Sequence, residues 1–251
     1  MFGQREFREI CDFVYRECGI SLNESKKKLV ESRLSKRLRA SGIKSVSHYL
    51  EIIQKDEREK IRFIDAISTN HTYFFRESGH FEYLQPEHLS IWSAACSSGE
   101  EPYSIAIYSL EKGFRPTIWA TDISTRVLET ARKGIYPMEK ANSLSASLMK
   151  RYFERGIGKW EGYIKVKDEV RNMISLSRFN LINDMPPNEK FDVIFCRNVL
   201  IYFDRKVKER VISRLYNALK NNGYLIIGGA ESLTGIDHRF KYIAPSIYCK
   251  A

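Results

Sequence analysis

Apolar positions over the first 68 residues recur with helical spacing, and no stretch there alternates as a strand would. Phe7, Ile10 and Val14 share a stripe over 6–18, which Gly19 closes. Val30, Leu34 and Leu38 mark a second helix over 25–40, ended by Gly42. Ser45 is placed to cap a short third helix carrying Tyr49, Leu50 and Ile53. A fourth, over 57–68, turns Ile61, Ile64 and Ile67 inward. These four elements predict an all-helical domain over 1–68.

Thr69-Asn70-His71-Thr72-Tyr73-Phe74-Phe75-Arg76-Glu77 breaks the period. It sets polar residues beside three consecutive rings, the pattern of a loop pinned to a core and held over a pocket; 69–78 is read as a linker. A short helix over 79–84 and a turn at Pro86 lead into a different regime, in which apolar strands alternate with amphipathic helices. Strands are predicted from Ile91, over 117–122, over 174–181, over 191–196 and over 223–229. Phe191-Asp192-Val193-Ile194-Phe195-Cys196 is nearly continuous in apolar residues, as a strand covered on both faces should be. Helices are predicted over 103–110, over 125–133 with Ser124 as cap, over 144–155 and over 204–219. Glycines, Trp160, Tyr163, Ile164 and Val166 give 156–176 the look of a small antiparallel β insertion. The segments 240–243 and 246–249 form a closing antiparallel pair about Pro245. The expected fold is α/β: a Rossmann-like sheet over 79–251, preceded by the helical domain.

The chemistry concentrates at strand ends. Ile91-Trp92-Ser93-Ala94-Ala95-Cys96-Ser97-Ser98-Gly99-Glu100-Glu101-Pro102-Tyr103-Ser104 reads as strand, tight turn of small residues and helix start. Small side chains allow close approach of a ligand to the backbone, and Pro102 suits a first helical turn. An ordinary βα turn has the same outline. However, the strand over 117–122 ends in Asp122, roughly 20 residues on, where cofactor folds place a ribose-binding acid. Arg197-Asn198-Val199-Leu200-Ile201-Tyr202-Phe203 follows another central strand at its carboxyl end, where open α/β sheets bind ligands. A dinucleotide fold would carry more glycines in its first turn, and the order of elements is that of S-adenosylmethionine-dependent methyltransferases.

Charge adds one question. The chain of 251 residues carries a formal charge of +10, which calls for an acidic partner. Lys26, Arg33 and Arg37, with Lys27, Lys36 and Arg39 nearby, line the second helix, either as a solvated face or as a docking surface. The five cysteines are scattered without a Cys-x-x-Cys pair, and the histidines lack metal-ligand spacing, so no metal is expected. No apolar run is long enough to span a bilayer, and Met1-Phe2-Gly3-Gln4-Arg5-Glu6 lacks the apolar core of a signal peptide; a cytoplasmic protein without membrane insertion is expected.

Four stretches together carry a family resemblance: Thr69 to Arg76, Ala94 to Ser104, Ala120-Thr121-Asp122-Ile123 and Arg197 to Phe203. They resemble the CheR-type chemotaxis receptor glutamate O-methyltransferases, and the likeness extends over nearly the whole chain. The family reads Thr-Asn-Glu-Thr where this chain has His71, and Ser-Thr-Gly-Glu-Glu where it has Ser97-Ser98. The resemblance implies S-adenosylmethionine as methyl donor, S-adenosylhomocysteine as product, and glutamates on chemoreceptor cytoplasmic helices as acceptors. It also implies roles for particular residues. Asn70, Thr72 and Arg76 line the cofactor from the linker; Ala95 and Glu101 belong to the first turn. Asp122 holds the ribose hydroxyls, Asn180 and Leu181 flank the adenine, and Arg197, Asn198 and Tyr202 close the methionine end. Arg76 and Tyr202 are the candidates for positioning the acceptor carboxylate. The implied partners are methyl-accepting chemoreceptors, docked through Lys26, Arg33 and Arg37 and, in some relatives but not others, through the β insertion, with no nucleic acid and a monomeric enzyme. Two alternatives stand beside this. One is a nucleic-acid methyltransferase, prompted by the charge and by Asn183-Asp184-Met185-Pro186-Pro187; the other is a catalytically silent receptor adaptor.

Overall fold

The computed structural model describes residues 3–251; Met1 and Phe2, part of the stretch read for a signal peptide, lie outside the described residues. Four helices open the chain: α1 (Gln4–Cys18), α2 (Lys27–Ser41), α3 (Val46–Lys55) and α4 (Glu57–Ile67). Their ends follow local chemistry. Gly19 and Gly42 adopt left-handed backbone after α1 and α2. The Ser45 hydroxyl accepts from the His48 amide, and the Asp56 carboxylate from the amides of Arg58 and Glu59. Phe7, Ile10, Val14, Leu34, Tyr49, Ile53 and Ile67 meet in one core. Phe63 is fully buried there between the rings of Phe13 and Tyr49, whereas Ile61 is only partly covered.

The remainder alternates strand and helix: β1 (Ser90–Ala94), α5 (Glu100–Glu111), β2 (Thr117–Asp122), α6 (Thr125–Lys133), β3 (Ile135–Pro137), α7 (Ala146–Tyr152), β4 (Phe153–Arg155), β5 (Tyr163–Val166), α8 (Asp168–Arg171), β6 (Ile174–Arg178), β7 (Phe191–Cys196), α9 (Arg205–Ala218), β8 (Leu219–Ile227), β9 (Lys241–Ala244) and β10 (Ile247–Cys249). Seven strands form the main sheet in the order β6-β2-β1-β7-β8-β10-β9. The first five in that order run parallel, and β10 and β9 add antiparallel pairs. Side chains divide by strand period. Ile91, Val193, Phe195 and Ile226 pack toward α5, and Trp92, Ile194, Leu225 and Ile227 toward α9. The chain leaves β1 toward β2 on one side and returns through β7 on the other, so a switch in strand order falls at the carboxyl end of β1.

Two expectations need correction. The small sheet has the order β3-β5-β4, so of 156–176 only β5 belongs to it; β6 lies in the main sheet, as expected of 174–181. Phe153, Glu154 and Arg155 were expected at the end of a helix but pair antiparallel with Val166, Lys165 and Ile164. Nothing in Tyr152-Phe153-Glu154-Arg155 breaks a helix, and tertiary pairing outweighs the local pattern. The second correction concerns the basic helix. Arg37 donates to Glu59 Oε1 from Nε at 3.1 Å, and Tyr49 donates to the same oxygen at 2.8 Å. Arg33 donates to the carbonyls of Ile67 and Ser68. Both guanidiniums hold the helical domain together, and the exposed cations of this face are Lys26, Lys28, Lys36 and Arg39.

The two domains are joined where the site lies. Ile20 pairs with Phe203 as an isolated bridge, the Ser21 amide donates to the Tyr202 carbonyl at 2.9 Å, and Tyr15 Oη donates to Asp204 at 2.7 Å. Among the described residues no helix is long and apolar enough to cross a membrane.

Replacing Arg37 with Ala leaves the Glu59 carboxylate buried beside Tyr49 with only the longer contact to exposed Arg62, at 3.5 Å. The expected outcome is a loss of about 3 kcal/mol of stability, the low end of the scale for breaking a buried pair from one side because Arg62 remains, measured by denaturant unfolding. Wild-type stability with weakened receptor binding would instead restore Arg37 to a docking role.

Candidate active site

A cavity of about 360 Å³ opens at the carboxyl ends of β1, β2, β6 and β7, a size in the range of small-ligand sites. Asn70, Thr72, Arg76, Ala95, Glu101, Asp122, Asn180, Leu181, Arg197, Asn198 and Tyr202 all line it. The structure thus brings together every residue singled out in the sequence for cofactor or catalysis. It adds a wall from the helical domain that the sequence did not reveal: Cys18, Ile20, Leu22, Lys26, Leu29 and Ile67. No local signal marks that segment as part of a site, since its partners lie up to 180 residues away.

The linker is fixed by contacts from several directions. Phe74 is fully buried, edge-on to the rings of Tyr136 and Phe153. The Phe75 amide donates to Ser104 Oγ at 2.9 Å, and Lys140 Nζ donates to the Thr72 carbonyl at 2.7 Å. Arg76 is about a quarter exposed (26%) and stands 3.8 Å from Glu77. Its Nη1 donates to the His71 carbonyl at 3.0 Å, so position 71 acts on Arg76 through its backbone, and the His71 side chain is exposed.

The turn after β1 is compact because its residues are small. Ala95 and Ser97 both hold positive φ (63° and 52°), and Gly99 follows at 97°. A Cβ on Gly99 would stand 2.7 Å from that of Ala131, so backbone and packing both require glycine there. The Ser97 amide, at 2.8 Å, and the Ser124 amide, at 2.9 Å, donate to the two oxygens of Asp122. Burial pushes the Asp122 carboxyl up to about 6; the two amides pull the other way, and Asp65 adds to the rise. Ser124 Oγ, not Asp122, caps α6. Asn180 donates from Nδ2 to the Glu17 carbonyl at 2.7 Å and accepts at Oδ1 from the Ile182 amide at 3.0 Å. Its side chain is therefore a fixed wall tied to the helical domain.

At the far side, Arg197 sits between two carboxylates. Nη1 donates to Glu101 Oε2 and Nη2 to Glu77 Oε2, both at 3.1 Å, and Nη2 also donates to the Arg76 carbonyl at 2.6 Å. Burial raises the Glu101 pKa against the pull of Arg197, while Ser93 Oγ donates to Oε1 at 2.7 Å. Burial also works against the charge on Glu77, but the Gly229 amide and Arg197 hold it below the usual carboxylate range. Glu77 had not been singled out; its place directly after Arg76 was the only hint. The Asn183–Pro187 stretch is a surface loop with Met185 exposed, and none of it lines the cavity.

These residues fit S-adenosylmethionine. Asp122 offers an acceptor for a diol. Ile123, Phe179, Leu181 and Phe203 give an apolar slot for a flat heteroaromatic ring, and Arg197 and Glu101, the former held from behind by Glu77, offer both charges to an amino-acid end. Fold and site together define a Rossmann-like methyltransferase. Residues 70–249 match the family described as CheR methyltransferase, SAM binding domain, and residues 5–68 match CheR methyltransferase, all-alpha domain. The chain is 39% identical to a chemotaxis protein methyltransferase of Borreliella burgdorferi, covering 98% of this chain and 94% of that one. It is 40% identical to that of Salmonella typhimurium (96% and 88% covered) and 38% identical to that of Escherichia coli (96% and 89%). The chain belongs to the CheR methyltransferase family and uses S-adenosylmethionine as its cofactor.

Asp122 accepts a hydroxyl hydrogen best as a carboxylate, and it takes up a proton near pH 6. Affinity for S-adenosylhomocysteine should therefore be full above that pH and fall as pH drops through it, approaching about tenfold per unit for a single linked proton. Calorimetric titration between pH 5 and 8 measures it, and Asp122→Asn should flatten the profile, which separates Asp122 from Glu101. An unchanged slope in that variant would remove Asp122 as the linked group.

Proposed function

We propose that this protein transfers a methyl group to the side-chain carboxylate of glutamates on the cytoplasmic helices of chemoreceptors, giving γ-methyl esters and S-adenosylhomocysteine. Its relatives are named chemotaxis protein methyltransferases, which supports the receptor as substrate. The observation that carries the acceptor chemistry is the cavity mouth. Arg76 stands there as a half-buried cation, and Tyr73, Leu29 and Ile201 expose apolar surface on the same rim (40%, 41% and 53%). An anionic side chain presented by another protein's surface is complementary to both.

S-adenosylmethionine, when bound, supplies an electrophilic methyl on a sulfonium. A glutamate side chain, with an ordinary pKa of about 4.3, is already ionised at neutral pH. Its oxygen forms the new bond to carbon as the carbon–sulfur bond breaks, the electron pair stays on sulfur, and no proton moves. A general base is thus unnecessary, and the task for the chain is alignment and exclusion of water. Arg76 pairs with the acceptor carboxylate, Tyr202 orients it, and the apolar rim seals around it. Lys26, at the cavity edge, leads the exposed cations of α2 in drawing an acidic receptor bundle, an attraction that speeds encounter and weakens with salt. The connection between β4 and β5 exposes Ile157 and Trp160 as a second receptor contact.

Transfer of tritiated methyl from the cofactor to purified receptor cytoplasmic domains should yield base-labile methanol. Label entering RNA or DNA and not receptor would overturn the proposal. Arg76→Ala should keep the fold and lose about a hundredfold in kcat/KM, the cost of a misplaced reactant; wild-type turnover would remove Arg76 from the mechanism and no turnover by the wild type would favour the adaptor.

A further inference from the structure

We propose that Glu231, outside the cavity, is a positioning residue for the cofactor end formed by Asn198 and Tyr202. The proposal rests on the assignment of those two residues to the methionine end. Glu231 lies just beyond β8 and is nearly buried, at 9% exposure. Its Oε2 accepts from the amides of Gly228 at 2.7 Å and Asn198 at 2.8 Å, and its Oε1 from the amide of Ile201 at 3.2 Å. Among the described residues no cation forms an ion pair with it. Three amides from two separate strand ends converge on one carboxylate, which therefore staples the end of β8 to the segment after β7.

That segment needs a staple. Asn198 holds φ of 59°, a left-handed conformation that asparagine adopts more readily than other non-glycine residues but that is still held here from outside. Directly beyond it, Leu200–Tyr202 forms a single 3-10 turn. With the amides at 198 and 201 fixed, Asn198 Nδ2 reaches Glu77 Oε1 at 3.4 Å, and Tyr202 is carried to the cavity wall, where its carbonyl also meets the Ser21 amide. Gly228 supplies independent support. A Cβ there would stand 2.5 Å from Asn198 Nδ2 and 2.8 Å from Glu231 Oε2. The close approach of the carboxylate to the Asn198 turn is thus built into both sides of the contact. A carboxylate offers about four lone-pair sites and no donor, whereas an amide in its place would turn an NH₂ toward a backbone N–H.

The test uses the full chain carrying Glu231→Gln, and separately Glu231→Asp, which retains the carboxylate but is one methylene too short to hold all three amides. Calorimetry with S-adenosylhomocysteine, and kcat and KM for S-adenosylmethionine, are measured beside the unfolding temperature. Both variants are expected to bind S-adenosylhomocysteine at least tenfold more weakly. KM should rise in parallel, and kcat at saturating cofactor should change less than threefold. A purely structural role would lower the unfolding temperature and leave affinity and KM of the folded fraction unchanged, and that result overturns the proposal. Should Glu231→Gln fail to fold, Glu231→Asp carries the same expectation and the same refutation. Asn198→Ala is measured alongside. Weakened binding there with wild-type binding in Glu231→Gln refutes the role of Glu231 alone; wild-type binding in all three variants refutes it together with the assignment of Asn198.

Discussion

The site depends on one guanidinium. Arg197 is almost wholly buried and is the point at which three separate pieces of chain meet: the linker through Glu77 and the Arg76 carbonyl, the turn after β1 through Glu101, and the end of β7 through its own backbone. A single cation between two carboxylates in a low-dielectric setting is tolerable only if its donors are placed well, because an unpaired partner left behind costs several kcal/mol. Placement is secured by covalent position, since the carboxyl ends of neighbouring parallel strands fall at one edge of the sheet. The ion array thus converts sheet register into the geometry of a ligand site, and Arg76 inherits its place at the mouth from a backbone contact with Arg197.

Among the described residues, five of the seven non-glycine positions with positive φ are Phe75, Glu77, Ala95, Ser97 and Asn198; the last three line the cavity, and Phe75 and Glu77 flank Arg76, which does. Such backbone costs on the order of 1–3 kcal/mol each. It persists here because amide–carboxylate contacts fix the conformation from outside: Ser97 to Asp122, Asn198 to Glu231, and Gly229 to Glu77. Backbone strain gathers around the cavity together with the Glu77–Arg197–Glu101 charges, while the helical core holds the separate Arg37–Glu59 pair and the interior of the sheet is mainly apolar packing.

Much of this could be read from the chain. Periodic apolar positions gave the four helices, and the near-continuous run at 191–196 located a central strand, because burial on one or two faces leaves a direct imprint on side-chain type. The turn at 94–99 and Asp122 were legible for a related reason, since close ligand approach favours small residues and a strand-end acid; the roles of Asn70, Thr72, Arg76, Asn180, Leu181, Asn198 and Tyr202 came from the family resemblance. What escaped was set by distant partners. Phe153–Arg155 pairs across the small sheet with no distinctive composition of its own. The wall formed by Cys18, Ile20 and Leu22 exists only because α1 docks beside Phe203 and Asn180. Arg33 and Arg37 showed a basic stripe but not that Ile67, Ser68 and Glu59 would claim it, since charge type alone does not distinguish a solvated cation from one bound to carbonyls or a carboxylate.

The bridge between Ile20 and Phe203 has an energetic consequence. A ligand seated in this cavity touches walls from both domains, so its binding energy, RT ln(1 + [L]/Kd), accrues to their union and not to either alone. Loading the cavity therefore ties the melting of the helical bundle to that of the sheet, and a protein built from two cores acquires the cooperativity of one.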